Sequence, residues 1–247
     1  MHVCLQVAAL PTTDAEYIPK TPPTVFTYNS ARASKLMTHL YLIRHGRTTW
    51  NDEGRMQGWA DPPLDAVGRQ QARALAKRLA SARFDAVYSS PLLRARATAE
   101  AVAQAHGLRV RFDDRLRERN LGDWTGLTFE EARARDPERF DADWRRLGPP
   151  GGEKQADLAA RAAAAVDGII SAYPQGTIAL VSHGGTLSAY LAHALGIPPE
   201  QEVSFSFHNT AIARLNLQPD GASGQIVRLM SLGDDRHLDD PPPPEPD

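Results

Sequence analysis

A short apolar segment that ends abruptly in charged residues is the strongest constraint on how this chain can fold. Residues 40–43 are four apolar residues in a row, and Arg44, His45 and Gly46 follow at once. Such an uninterrupted run is typical of a strand that is covered on both faces of a sheet. We therefore predict a buried strand that delivers an arginine and a histidine to the edge of the sheet.

Strand-like and helix-like segments alternate over the body of the chain, a pattern that predicts a layered α/β domain. Further strands are expected at 84–90, 108–112 and 177–182. The segments 210–217 and 224–232 should close the sheet as an antiparallel pair. Helices are expected at 65–82, 91–107, 128–148, 154–174 and 185–196, and Pro137 should interrupt the third of them.

The first two helices carry specific packing and capping signals. Val67, Leu75 and Leu79 recur on one face of the first helix, and Asp65 stands where a capping residue is preferred. Pro91 is expected in the first turn of the second helix, where its missing N–H group is not needed.

The two ends of the chain differ from its middle in composition. Residues 1–36 contain several prolines and show no sustained periodicity, so we predict a flexible leader. Residues 239–247 are acidic and proline-rich, which predicts a disordered tail. We therefore place the folded domain at residues 37–238 and expect no chemistry at either end.

Composition limits the partners and the compartment of the protein. The net charge of −2 gives no reason to expect nucleic acid or an anionic membrane surface as a partner. No apolar stretch approaches the roughly 20 residues that a membrane-spanning helix needs. The single Cys4 excludes a disulfide framework and a cysteine-rich zinc site, so a reducing, cytoplasmic location is expected.

Polar motifs follow several of the predicted strands. Arg44 and His45 end the first strand, Arg94 lies just beyond the second, and His183 follows the most clearly buried one. Another strand leads through a short link to Glu118. Ligands of open α/β sheets bind beyond the carboxyl ends of the strands, so we expect these side chains to converge on one rim.

These residue types together suit phosphoryl transfer. The planar guanidinium groups of Arg44 and Arg94 match phosphate oxygens, and the helix that begins near Thr186 offers further N–H donors. A neutral imidazole is a competent nucleophile toward phosphorus, and a carboxyl group such as Glu118 can protonate the leaving alkoxide. The histidines lack the spacing of a zinc site, so we expect no metal and no cofactor.

The segment LIRHGRTTWN, residues 42–51, resembles the signature of the histidine phosphatase superfamily in its phosphoglycerate mutase-like branch. The blocks YSSPLLRARATAEAV, LRERNLGDWTGLTFEE, PPGGE, LVSHGGTLSAYL and DDRHL resemble later parts of the family pattern in the same order. The resemblance implies a three-layer α/β/α sandwich with a mostly parallel central sheet, as in phosphoglycerate mutases. It also implies His45 as the phosphorylated nucleophile, His183 as transition-state stabiliser, and Glu118 as proton donor and then base. The implied phosphate ligands are Arg44, Asn51 and Arg94.

The choice between phosphatase and mutase depends on residues around the site. Gln57-Gly58 resembles the phosphatase members, and Leu121 and Phe129 stand where mutases usually carry a tyrosine and a lysine. The stretch between Glu118 and His183 also looks shorter than in the mutases. These features favour hydrolysis.

Several basic residues favour the mutase alternative, because they resemble the groups with which mutases bind a substrate carboxylate. Arg119 and the pair Arg145-Arg146 carry this resemblance, and Arg47 adds another cation. They motivate the hypothesis that the substrate is a small phosphoester that carries a carboxylate. The expected substrate-side residues are Arg47, Gln57, Gly58, Arg119 and Gly184.

Each assignment has a plainer alternative. His183 alone could be a buried core histidine, Arg94 could lie on a helix surface beside Arg96, and Asn51 could be a turn residue. Glu118 competes for the acid role with three other glutamates, Glu130, Glu131 and Glu153.

The sequence therefore predicts a metal-independent phosphomonoesterase that acts on small phosphorylated metabolites as a monomer or homodimer. A cofactor-dependent phosphoglycerate mutase is the alternative function. A catalytically idle phosphate-binding module is the third interpretation, and it predicts a missing nucleophile or acid. Neither group is missing here.

Overall fold

The structure is a computed structural model that describes residues 37–198, 201, 203–220 and 224–238, apart from the side chain of Arg145. The predicted flexible leader at 1–36 and the predicted disordered tail at 239–247 lie outside the described residues.

One six-stranded sheet organises the described residues, with strand order β3-β2-β4-β1-β5-β6. The first four strands in this order run parallel, and the last two pair antiparallel with their neighbours. This arrangement confirms the expected mostly parallel sheet and its closing antiparallel pair. The strands are β1 (Thr38–Arg44), β2 (Ala86–Ser89), β3 (Val110–Phe112), β4 (Thr177–Ser182), β5 (Ile212–Asp220) and β6 (Gly224–Asp234).

Helices connect the strands, and three single turns of 3₁₀ helix lie at Asp114–Leu116, Gly122–Trp124 and Arg236–Leu238. The α-helices are α1 (Thr49–Asp52), α2 (Ala66–Leu79), α3 (Leu93–Ala105), α4 (Phe129–Arg135), α5 (Pro137–Asp141), α6 (Trp144–Leu147), α7 (Gln155–Ala172) and α8 (Gly184–Ala194).

Apolar side chains on both faces of the sheet create two separate cores. On one face, Leu40 and Leu42 pack in a cluster with residues of α7 and α8. On the other face, Ile43 and Val181 pack with residues of α2 and α3. Helices therefore cover both faces of β1 and β4, which explains their uninterrupted apolar sequences and confirms the three-layer α/β/α architecture.

The expected packing of α2 is partly wrong. Asp65 caps the helix as predicted, because its Oδ1 accepts a hydrogen bond from the Gly68 N–H at 2.6 Å. Leu75 and Leu79 are buried, but Val67 is 38% exposed. Gly68 is the residue of α2 that lies against the backbone of Arg47. A Cβ added at Gly68 would lie 2.0 Å from the carbonyl oxygen of Arg47. The close approach of the helix to this backbone turns Val67 outward.

Two helix boundaries also differ from the prediction. Leu92 is the N-cap residue of α3, so Pro91 precedes the helix instead of entering its first turn. The expected helix at 128–148 is divided into α4, α5 and α6. Pro137 starts α5, and Asp143 adopts a left-handed conformation with φ of 61° before α6.

The three short helices α4 to α6 form a small lobe beside the carboxyl ends of the strands. Its own apolar core contains Met56, Leu121, Trp124, Ala132 and Trp144. Among the described residues, no helix is both long enough and apolar enough to span a bilayer.

Candidate active site

The carboxyl ends of three neighbouring strands bring both predicted catalytic histidines together. His45 follows β1 and His183 follows β4, and the centroids of the two imidazole rings are 5.1 Å apart. Ser90, at the end of β2, places its Oγ 2.8 Å from Nε2 of His183. The convergence expected from the strand pattern is therefore present, and both rings are almost completely buried.

The imidazole of His45 is fixed in one tautomer by its own backbone. Its Nδ1 lies 2.7 Å from the carbonyl oxygen of Gly46, so Nδ1 carries the proton and donates it. The lone pair of the imidazole is then on Nε2. The His45 side chain lines the cavity that is described below. Burial, followed by the positive charges of Arg94 and Arg44, lowers the pKa of His45 well below its usual value. His45 is therefore neutral, as a nucleophile must be.

Arg94 is a buried cation that faces this histidine, which excludes the alternative that it lies on the helix surface. Its two terminal nitrogens donate to the carbonyl oxygens of Gly58 and Ala60, both at 2.8 Å. The adjacent Arg96 takes the surface position, where it pairs with Glu100 at 2.9 Å. Burial lowers the pKa of Arg94 to about 10, so the guanidinium remains charged at neutral pH.

Arg44 supplies the second cation at the end of β1. Its Nη1 donates to the carbonyl oxygen of Phe207 at 2.6 Å. Burial lowers its pKa, and the nearby Glu118 carboxylate opposes that effect. Within the described part of the chain, the buried Nε atoms of Arg44 and Arg94 have no hydrogen-bond partner. A bound anion would satisfy such donors.

Glu118 lies at the N-terminus of α8, where N–H groups orient its carboxylate. Oε2 accepts from the Gly185 N–H at 3.1 Å, and Oε1 accepts from the N–H groups of Thr186 at 3.1 Å and Arg119 at 2.8 Å. A Cβ at Gly185 would lie 2.6 Å from Oε1, so only glycine permits this approach. The competing glutamates, Glu130, Glu131 and Glu153, do not line the cavity.

Asn51 caps α1 and also lines the cavity, so its position is compatible with both of the roles that the sequence left as alternatives. Its Oδ1 accepts from the Thr48 N–H at 3.1 Å, which completes a capping box at the start of α1. The same side chain lines the cavity, where its Oδ1 also receives the Asn209 amide at 3.4 Å. The capping contact directs the Nδ2 donor away from Thr48.

Arg161, on α7, organises the segment that carries Glu118, and sequence reasoning missed it. Its Nη1 donates to the carbonyl oxygens of Arg115 and Arg117, and its Nη2 donates to that of Glu118 at 2.9 Å. Nε and Nη2 also form a two-point ion pair with the Glu153 carboxylate at 2.7 and 2.8 Å. The only signal in the sequence is a single arginine within an alanine-rich helix.

The predicted substrate-side residues divide into two groups. Gln57, Gly58, Arg119 and Gly184 line a cavity of about 440 Å³ that also contains His45. Arg47 does not line it, because its guanidinium pairs with Asp65 at 2.8 Å and Asp52 at 2.7 Å. The structure therefore does not bring Arg47 together with the other predicted substrate-side residues.

Of the two arginines of α6, only the side chain of Arg146 is described, and a carboxylate of the protein pairs with it. Arg146 lines the cavity, but its Nε pairs with the Asp143 carboxylate at 3.1 Å. The side chain of Arg145 lies outside the described atoms. Arg119 is 6% exposed, donates its Nε to the carbonyl oxygen of Glu153, and lies 5.3 Å from the centroid of the Trp144 ring.

The cavity contains few groups that suit a cation. Among the residues that the structure describes, no three or more His, Cys, Asp or Glu side chains group together as metal ligands do. The arrangement of two buried arginines, a helix N-terminus and a neutral histidine instead suits a phosphate group.

Comparison with known proteins agrees with this geometry. The family model described as histidine phosphatase superfamily (branch 1) matches residues 40–229. The chain belongs to the histidine phosphatase superfamily. The match covers every strand of the sheet at least in part, and it includes His45, His183, Arg44, Arg94 and Glu118.

Relatives within this superfamily carry names of two kinds. The probable phosphoglycerate mutase GpmB of Yersinia enterocolitica is 37% identical over 212 residues, which cover 83% of this chain and 97% of that protein. A mycobacterial glucosyl-3-phosphoglycerate phosphatase in complex with VO3 is 33% identical with a TM-score of 0.71, and the match covers 79% and 98% of the two chains. The phosphoserine phosphatase of Entamoeba histolytica, as an H9A mutant with phosphoserine, is 29% identical with a TM-score of 0.66, covering 81% and 99%.

The burial of His45 should make the stability of the protein depend on pH. The lowered pKa of His45 in the folded state means that the unfolded chain binds more protons below about pH 6.5. The free energy of unfolding should therefore fall as the pH falls. We expect His45→Gln to make this dependence less steep below about pH 6.5, by at most about 1.4 kcal/mol per pH unit. Urea unfolding at several pH values measures both slopes, and equal slopes would contradict a neutral His45.

Proposed function

We propose that this protein is a metal-independent phosphomonoesterase that hydrolyses small phosphorylated metabolites through a phosphohistidine on His45. The observation that carries the proposal is the state of this imidazole. Its proton is held on Nδ1 by Gly46, and it is neutral, buried and next to two arginines. We place the activity in the cytoplasm, on the basis of the single cysteine.

In the first step, Nε2 of His45 attacks phosphorus while the bond to the ester oxygen breaks. Glu118, in its protonated form, gives its proton to the departing oxygen, which leaves as an alcohol. Arg44 and Arg94 hold the phosphoryl oxygens, since their Nε donors are buried without partners. Their positive charges stabilise the transition state more strongly at this buried site than they would in water.

His183 donates to a phosphoryl oxygen in this proposal. When the Ser90 hydroxyl donates to Nε2 of His183, the proton of the imidazole is on Nδ1. That Nδ1 is buried, and no group of the described protein pairs with it. A donor in this position stabilises the negative charge that develops in the transition state.

In the second step, the Glu118 carboxylate takes a proton from water as the water oxygen attacks phosphorus. The bond between phosphorus and Nε2 breaks, and the products are inorganic phosphate and neutral His45. Glu118 ends the cycle protonated and can serve the next substrate.

Phosphoglycerate mutase activity is the second candidate, because GpmB relatives carry that name and Arg119 lines the cavity. Three other lining residues favour hydrolysis. Gln57 resembles the phosphatase members, and Leu121 and Phe129 replace the tyrosine and lysine that are usual in mutases.

The experiment is a pair of assays on one preparation. We expect turnover of 4-nitrophenyl phosphate in the presence of a chelator, with no need for added metal. We also expect no conversion of 3-phosphoglycerate to 2-phosphoglycerate, with or without 2,3-bisphosphoglycerate. Rapid mutase activity that depends on the bisphosphate would replace the proposal by its alternative, and loss of hydrolysis in the chelator would contradict metal independence.

A further inference from the structure

We propose that the active-site cavity contains an aromatic subsite, formed by Trp50, Phe129 and Trp144, that binds an apolar ring in the organic part of the phosphate ester. The inference rests on the proposed function, since it assumes that the phosphate binds at His45. It specifies the substrate class as phosphate monoesters of ring-bearing alcohols, in preference to small hydroxy acids.

The size of the cavity leaves space for such a group. A phosphate group of five heavy atoms fills less than roughly 150 Å³, since bonded atoms lie closer together than water molecules, which take about 30 Å³ each in the liquid. The cavity measures about 440 Å³. Most of it is therefore available to the organic part of the ester.

Phe129 is held in an exposed position by its own sequence neighbours. The ring is 48% exposed and lines the cavity. Thr128 and Glu131 form a capping box around it, with hydrogen bonds of 2.9 and 3.1 Å. Arg55 also contacts the Glu131 carboxylate at 3.0 Å. A large apolar side chain that is both exposed and fixed at its helix start is suited to contact a ligand.

Other aromatic rings support Phe129 and extend the surface. Its centroid lies 6.0 Å from that of Trp144 and 6.3 Å from that of Phe140. Trp144 packs in turn against the buried Trp124 at 5.6 Å. Trp50 lines the same cavity from α1, immediately before the predicted phosphate ligand Asn51. Aromatic rings arranged in this way favour stacked or edge-on contacts with another ring.

Carboxylates of the protein pair with several of the arginines in and around the cavity. Arg146 pairs with Asp143, and Arg55 pairs with Glu53 and Glu131. Arg47 is outside the cavity altogether. Of the basic residues that suggested a carboxylated substrate, Arg47 and Arg146 are thus paired with carboxylates of the protein, and Arg119 lines the cavity.

The test compares benzyl phosphate with ethyl phosphate, since both are esters of simple primary alcohols and differ mainly in the ring. We expect the wild type to prefer benzyl phosphate in kcat/KM by about tenfold or more. Phe129→Ala should reduce this preference about tenfold, and Phe129→Leu should reduce it less. Phe112→Ala is the matched control, because Phe112 is 44% exposed and lies on β3, outside the cavity. The control should retain the wild-type preference.

Inhibition by benzylphosphonate and ethylphosphonate separates this inference from the proposed function. These compounds cannot be hydrolysed, so the ratio of their inhibition or binding constants reports the subsite even if phosphatase turnover fails. A wild-type ratio near one would overturn the inference. Equal effects of the Phe129 and Phe112 variants would also overturn it, as would a tenfold preference for 3-phosphoglycerate over benzyl phosphate. Phe129→Leu keeps the apolar contacts of α4, so the test remains decisive if Phe129→Ala does not fold.

Discussion

Replacing His45 by alanine should abolish hydrolysis of every phosphate ester, with a loss in kcat of about 10⁴-fold or more. The reason is that no other described histidine combines a free Nε2 lone pair, burial and two adjacent arginines. His183 is close, but Ser90 occupies its Nε2 at 2.8 Å. Without the imidazole nitrogen as nucleophile, water would have to attack phosphorus directly, and among the described residues no group is positioned to replace the imidazole.

Labelling provides the direct measurement for this variant. Wild-type protein that is quenched during turnover of a ³²P-labelled ester should carry phosphate that is lost in acid and retained in base. His45→Ala should carry none. His193→Ala is the matched control, since His193 is exposed near the end of α8 and pairs with Asp167 at 3.2 Å. Undiminished labelling of His45→Ala, or an acid-stable label, would exclude the proposed intermediate.

The site could be predicted well from the sequence because its main residues stand where buried strands end. The apolar runs of β1 and β4 specify strands covered on both faces, and the register of these strands pairs Arg44 with Ser182. His45 and His183 each follow immediately. When two neighbouring parallel strands end at the same edge of a sheet, the two residues that follow them lie close together. This proximity does not depend on the conformation of the loops.

Side-chain partners could not be predicted in the same way. Arg47 follows the motif directly, yet it pairs with Asp65 and Asp52 away from the cavity. Arg161 is 43 residues away from Glu118 in sequence, yet it donates a hydrogen bond to the carbonyl oxygen of that residue. A guanidinium on a long, flexible stem can reach several acceptors, and the tertiary fold decides which one it meets.

The helical lobe shows a second limit of sequence patterns. Charged residues at helical spacing predicted one helix at 128–148 with an interruption at Pro137. The structure instead has three short helices, whose Phe129, Phe140 and Trp144 rings pack against one another with centroids 6.0 to 6.3 Å apart. The left-handed residue Asp143 allows α6 to turn its tryptophan into the aromatic cluster, and propensity alone does not specify such a turn.

Replacing Glu118 by glutamine should slow hydrolysis most for esters with poor leaving groups. Glutamine keeps the size of the side chain, and its oxygen can accept from Arg119 and Thr186 as Oε1 does, although its NH2 group cannot replace Oε2 as the acceptor for Gly185. It cannot give a proton to the departing oxygen. A positioned acid contributes about 10²–10⁴-fold, so we expect a loss of that size for alkyl phosphates. The loss should be much smaller for 4-nitrophenyl phosphate in the phosphorylation step, because its leaving group needs no proton.

A series of aryl phosphates with increasingly basic leaving groups measures this dependence. In wild-type protein the rate of phosphoenzyme formation should vary little across the series, because Glu118 protonates the poor leaving groups. In Glu118→Gln it should fall steeply as the leaving group becomes more basic. Glu130→Gln is the control, since Glu130 is exposed on α4 and does not line the cavity. Equal losses for all leaving groups would show that Glu118 binds or orients the substrate without acting as its acid.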